Sequence, residues 1–258
     1  MEDSMERESS DQSKESRNQW ETGRVSEWFV PKFGTPRFKS FIGLLFLPYT
    51  GMVLSFSIIG SILANPVHWD RVFVIVFIYF LGLGLSAHAL DALGSREIKP
   101  WGNRLTRREL WLLALIPLVL AYLIAIYYMI RYVPMLWPVA ILEGFFVFAY
   151  NLEWFRGRFH TDFWFAFSWG FLPAIAGYIM QTNNLSVPAI FIALSMGLFS
   201  LVEITVSRPY KDLKRSSPGP YPESETMLKN RYERTLKSIS LGVILLGVGL
   251  LIWRAVVP

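Results

Sequence analysis

Long runs of this chain carry no charged side chain. Residues 40–69, 72–90, 110–130, 163–202 and 238–253 contain no Lys, Arg, Asp or Glu, and 132–152 contains only Glu143. A helix crosses a bilayer with about 20 mostly apolar residues, and it bonds its own backbone groups where no water can. The run 163–202 is too long for one crossing, and Gln181-Thr182-Asn183-Asn184 places a polar turn inside it. The expected fold is therefore all-α: a polytopic transmembrane helical bundle of about seven spans. They lie near 40–63, 70–92, 109–130, 133–152, 162–181, 186–206 and 237–255.

Composition agrees. The chain is 53% apolar and only 17% charged, against about 25% charged in a soluble domain. It has no cysteine, which excludes a disulfide scaffold and a thiolate metal site. The first 39 residues are polar, and the apolar run after them is too long for a signal-peptide core.

The positive-inside rule fixes the expected orientation. With the N-terminus in the cytoplasm, 22 of the 25 Lys and Arg fall in the N-terminal tail and the even-numbered loops. The reading is an integral protein of the cell membrane, N-terminus cytoplasmic and C-terminus outside. Residues 1–37 form a disordered polar tail; 1–35 carry a net charge of −3 and the remainder +8. Residues 38–258 form the bundle, with cytoplasmic loops at 93–108 and 207–236. The basic face suits anionic lipid, and no nucleic-acid partner is expected.

Ionisable groups inside spans are costly and mark candidate sites. Here the informative polar residues are His88, Asp91, Glu143, Asn151, Glu153 and Glu203. All but Glu143 lie near the cytoplasmic ends of spans 2, 4 and 6, which suggests one polar pocket. His88, Asp91 and Ser95 share a helix face. Glu203, Ser207 and Lys211 share one if the sixth helix continues; Pro209 is where it would break. Glu143 reads equally well as a hydrogen-bond anchor between helices.

Residues 82–110, GLGLSAHALDALGSREIKPWGNRLTRREL, resemble the first signature region of the UbiA-type intramembrane prenyltransferases. In that family span 2 ends in N-D-x-x-D-x-x-x-D, and a loop like R-P-x-x-S-G-R-L-T comes next. Asp91 stands at the middle aspartate, Lys99-Pro100 at Arg-Pro, and Gly102-Asn103-Arg104-Leu105-Thr106 at S-G-R-L-T. Residues 148–182, with Tyr150, Gly157, Gly170, Pro173, Gly177 and Tyr178, resemble the quinone-biosynthesis branch, the menaquinone type in particular. His88, Ala87 and Ser95 replace the remaining motif residues, the second D-x-x-x-D signature is not visible, and the family's last spans are missing.

The resemblance implies an enzyme that moves a prenyl group from a prenyl diphosphate to a membrane acceptor, such as a quinone precursor or a lipid backbone. Asp91, His88 and Glu203 would be catalytic, with Asp91 and Glu203 holding Mg²⁺. Arg96, Lys99, Arg104, Arg208 and Lys211 would clamp phosphate, and Tyr150 and Asn151 would face the acceptor. The aromatic residues of spans 4–6, among them Phe146, Phe165, Phe167 and Trp169, would line the prenyl chain. The alternative is a catalytically inactive UbiA-like protein that binds or carries an isoprenoid or other lipid. Oligomeric state is left open. An unrelated seven-helix receptor fits poorly with a cytoplasmic N-terminus, and span 7 has no lysine in its apolar core for retinal.

Overall fold

Each uncharged run is helical in the computed structural model, which describes residues 27–94, 105–216 and 222–257. Seven helices are long and apolar enough to cross a membrane: α1 Pro36–Ile62, α2 Trp69–Gly94, α3 Arg107–Arg131, α4 Pro134–Asn151, α5 Asp162–Thr182, α6 Val187–Lys214 and α7 Glu223–Val256. No strand occurs among the described residues. The chain has the form of an integral membrane protein.

The helices α1 and α5 form the centre, and their windows are the most buried. They cross closely because the contact is built from small residues. A Cβ placed on Gly60 would lie 1.8 Å from the Ala174 carbonyl oxygen, and one on Gly177 would lie 2.1 Å from that of Ser57. The Ser61 hydroxyl donates to the Gly177 carbonyl at 3.2 Å across this seam. Helices α2, α3 and α4 pack on one flank, and α6 and α7 on the other. The bundle has two ends, and the one carrying most of the Lys and Arg is its basic end.

Three features bend this frame. Phe46 adopts a left-handed conformation (φ 44°, ψ 58°) and divides α1; Pro48 comes just after it, with no N–H to continue the ladder. The segment Phe80–Ala87 of α2 is π-helical, as is Phe167–Phe171 of α5. Each residue added to a turn rotates the remainder of the helix by about 100°. The Ser86 hydroxyl donates to the Leu81 carbonyl at 2.8 Å, and Ser168 to Trp164 at 2.7 Å, so each widened turn has a hydroxyl closing on it.

The segment 207–236, expected as a loop, is helical over most of its length. α6 runs through Pro209 to Ser216 and α7 starts at Glu223. Hydropathy marks where the bilayer ends, not where the backbone stops being helical, and a proline inside a packed helix is tolerated when neighbours hold it. The tail also ends earlier than expected. Residues 27–35 form a strap on the bundle, with Glu27 and Val30 buried. Residues 1–26 lie outside the described residues.

Candidate functional site

The basic end gathers side chains from α1, α2, α5 and α6. His88 directly succeeds the π segment of α2 and is 6% exposed. Its Nε2 is 3.4 Å from the Thr50 hydroxyl, which donates to the Leu45 carbonyl freed at the α1 break at 2.7 Å. Its ring and four others close a circuit. Phe46 stacks on Tyr49 at 4.1 Å and Tyr49 meets Phe165 edge-on at 6.0 Å. Phe165 stacks on Trp169 at 5.2 Å, Trp169 lies 5.1 Å from His88, and His88 meets Phe46 at 6.2 Å. The Lys211 ammonium lies 5.4 Å from the Phe46 centroid and 5.8 Å from that of Tyr49, within cation–π range.

Phe165 also touches Tyr150 at 5.7 Å, which joins the circuit to a charged cluster. Tyr150 stacks on His160 at 4.5 Å, and its carbonyl accepts from His160 Nδ1 at 3.0 Å. Arg208 Nε pairs with Asp162 Oδ1 at 2.7 Å, and its Nη2 donates to the His160 carbonyl at 3.2 Å. Tyr150 lies within electrostatic reach of Arg208, Asp91 and Asp162. Thus His88, Asp91, Tyr150, Arg208 and Lys211, predicted separately from three helices, belong to one neighbourhood.

Glu203 is buried on the adjoining side, within electrostatic reach of Lys211. The α6 helix persists, so Glu203, Ser207 and Lys211 do share a face. Glu203 lines a small pocket with Phe46, Tyr49, Tyr210 and the strap residue Glu27. The strap closes it: Lys214 Nζ pairs with Glu27 Oε1 at 2.8 Å, and the Tyr210 hydroxyl donates to Glu27 Oε2 at 3.1 Å.

Asn151 is placed differently. Its amide nitrogen donates to the Val147 carbonyl at 2.8 Å, and its own backbone carbonyl lies where a Cβ on Gly94 would be 2.2 Å away. It seats the end of α4 against the end of α2. Arg96, Lys99 and Arg104 lie outside the described residues. Of the aromatic wall, Phe165 and Trp169 enter the circuit. Phe146, Phe159, Trp164 and Phe167 pack on one another, and Phe163 is exposed. Sequence reasoning missed Phe46, Tyr49, Thr50 and His160; the Pro48 break beside Phe46 was the available signal.

Among the described residues no three His, Asp or Glu side chains form a metal-holding group. Asp91 and Glu203 are the two carboxylates expected to hold the ion. This donor set fits Mg²⁺ only as it commonly binds, through one or two carboxylates plus the phosphates of its substrate.

No protein family, curated protein or solved structure matches this chain. The site has to be read from its own chemistry. It offers the cations Arg208 and Lys211, the imidazoles of His88 and His160 and the carboxylates of Asp91, Asp162 and Glu203 beside a closed aromatic surface, at the end of an apolar bundle.

Proposed function

We propose that this chain is a UbiA-like intramembrane prenyltransferase whose site is the basic end. The observation that carries the reading is the aromatic circuit of Phe46, Tyr49, Phe165, Trp169 and His88, with Lys211 against it and Arg208 beside it. A prenyl diphosphate has an anionic head and an apolar tail. Arg208 and Lys211 suit the head. In the reaction the bond from the allylic carbon to oxygen breaks, and the diphosphate leaves with the electron pair. Positive charge then develops on carbon, and aromatic faces stabilise cationic charge. The acceptor forms the new bond and gives up a proton, for which His88, whose ring belongs to the aromatic circuit, would serve as base. Mg²⁺, carried in with the diphosphate, would add charge neutralisation with Asp91 and Glu203 as protein ligands.

A second reading is favoured by the sparse carboxylates: a carrier that binds the diphosphate lipid without turnover, since ground-state binding alone does not accelerate a reaction. One experiment separates them. The purified full chain is melted with geranylgeranyl diphosphate, in Mg²⁺ or in EDTA, and tested for diphosphate release with membrane-lipid acceptors. A ligand that binds the folded state raises Tm. The enzyme reading expects a Mg²⁺-dependent rise, loss of most of it in Arg208→Ala and Lys211→Ala, and diphosphate release that Asp91→Ala abolishes. A rise that survives EDTA without release supports the carrier. No rise in either condition overturns both.

A further inference from the structure

Halfway along α4, away from the residues of the basic end, Glu143 faces a cavity between α2, α3 and α4. The cavity has a volume of about 60 Å³, and its wall includes Tyr79, Gly82, Leu118, Tyr122, Leu136 and Glu143. Its polar groups are concentrated at one place. The Tyr79 hydroxyl donates to Glu143 Oε1 at 2.9 Å. The Tyr122 hydroxyl, seated against Gly144, donates to the Ala140 carbonyl at 2.7 Å. Glu143 Oε2 is buried and has no hydrogen-bond partner among the described residues.

A buried carboxyl oxygen left unpaired is costly, and a native structure that keeps one usually has an occupant for it. The space exceeds a water, which needs about 10–15 Å³ by the same measure, and the cavity is open on one side, so it can seat a head group while a longer chain leaves it along the bundle surface. The rest of the wall is aliphatic. Gly82 faces open space, with nothing within 4 Å of where its Cβ would be. The π segment beginning at Phe80, directly after Tyr79, widens α2 at this point. An interhelical anchor explains Oε1 but not the cavity or Oε2.

We propose that this cavity is a binding site, separate from the basic end, for a neutral lipid carrying a hydroxyl. The hydroxyl bonds Glu143 Oε2, and the apolar body lies along Leu118 and Leu136. An anionic head is disfavoured, because the described wall offers a single carboxyl and no cation to balance it, and burying an ammonium among the aliphatic remainder costs far more than burying a hydroxyl.

The test uses the full-length protein in detergent, with farnesol as probe and farnesene, the hydrocarbon lacking the oxygen, as control. Farnesol is expected to raise Tm well above farnesene. Glu143→Leu is expected to weaken farnesol binding about tenfold, the scale of one buried hydrogen bond, and to abolish the difference between the two probes. Glu143→Gln, which keeps hydrogen-bonding capacity, is expected to retain most of it. Leu118→Trp, which fills the cavity and leaves Glu143 intact, is expected to remove the shift. Equal shifts from alcohol and hydrocarbon overturn the proposal, as does an alcohol preference that persists in Glu143→Leu and Leu118→Trp. Neither probe carries a diphosphate, so Arg208→Ala must leave the farnesol shift unchanged. A shift lost in Arg208→Ala but kept in Glu143→Leu would place farnesol at the basic end and overturn the second site, while leaving the prenyltransferase reading standing.

Discussion

Gly177 shows how one residue governs this bundle. It faces the Ser57 carbonyl so closely that any side chain must push α1 and α5 apart. Overpacking typically costs about 1–3 kcal/mol, and here the obstacle is backbone, which cannot rotate away. Gly177→Val is expected to lower Tm sharply and to reduce the yield of folded protein in detergent, whereas Gly242→Val, with nothing within 4 Å of its Cβ position, is expected to leave both unchanged. Thr106 has an equally local role. It forms a capping box with Glu109 at the start of α3, and Glu109 also pairs with Arg37 of α1. The last position of the S-G-R-L-T-like stretch is thus a helix cap, whatever else the loop does.

At the level of elements, the strap and α6 depend on each other. Glu27 is buried between Lys214 and Tyr210, and Glu233 of α7 holds Lys237 at 2.5 Å beside it. Lys237 in turn lies 5.3 Å from the Trp28 ring centroid. Removing one member of a buried ion pair leaves its partner uncompensated, typically at a cost of about 3–5 kcal/mol when burial is deep. Glu27→Ala is therefore expected to release the strap before it unfolds the bundle. Trypsin cleavage after Lys32, the basic residue within the strap, should accelerate while the helical circular-dichroism signal is retained. Unchanged cleavage would mean that the strap is held by its apolar contacts alone. The two π segments belong to this scale as well. Each rotates the residues after it, His88 on one helix and the second half of α5 on the other.

The whole molecule has two unlike ends. The basic end carries the strap, the site and the long helical extensions of α6 and α7. The opposite end is tied by local bonds, among them Gln181 with the His68 backbone and Arg254 with Ala64 and Asn65. The charge asymmetry predicts that the basic end faces the cytoplasm. Because the chain has no cysteine, single cysteines report this cleanly. In intact cells a membrane-impermeant maleimide is expected to label Asn184→Cys, and to label Glu223→Cys only after permeabilisation. The reverse pattern would invert the topology and place the proposed site outside.

Sequence by itself determined the number of helices long and apolar enough to cross a membrane and the positions of the costly polar residues. Both come from local physics: an uncharged run of sufficient length must be helical in lipid, and an ionisable group within it must find company. His88, Asp91 and Glu203 were legible for that reason, whereas Tyr150 and Arg208 came from the resemblance. Phe46, Tyr49 and Thr50 were not, because in an apolar bundle an aromatic or a threonine carries no local mark of whether it faces lipid, a neighbour or a site. Only the tertiary structure decided that. The glycine-lined crossing of α1 and α5 and the two π turns rotate these side chains onto one another. The same packing leaves Glu143 Oε2 facing a cavity instead of a partner helix, since a residue's surroundings depend on how helices far apart in sequence fit together.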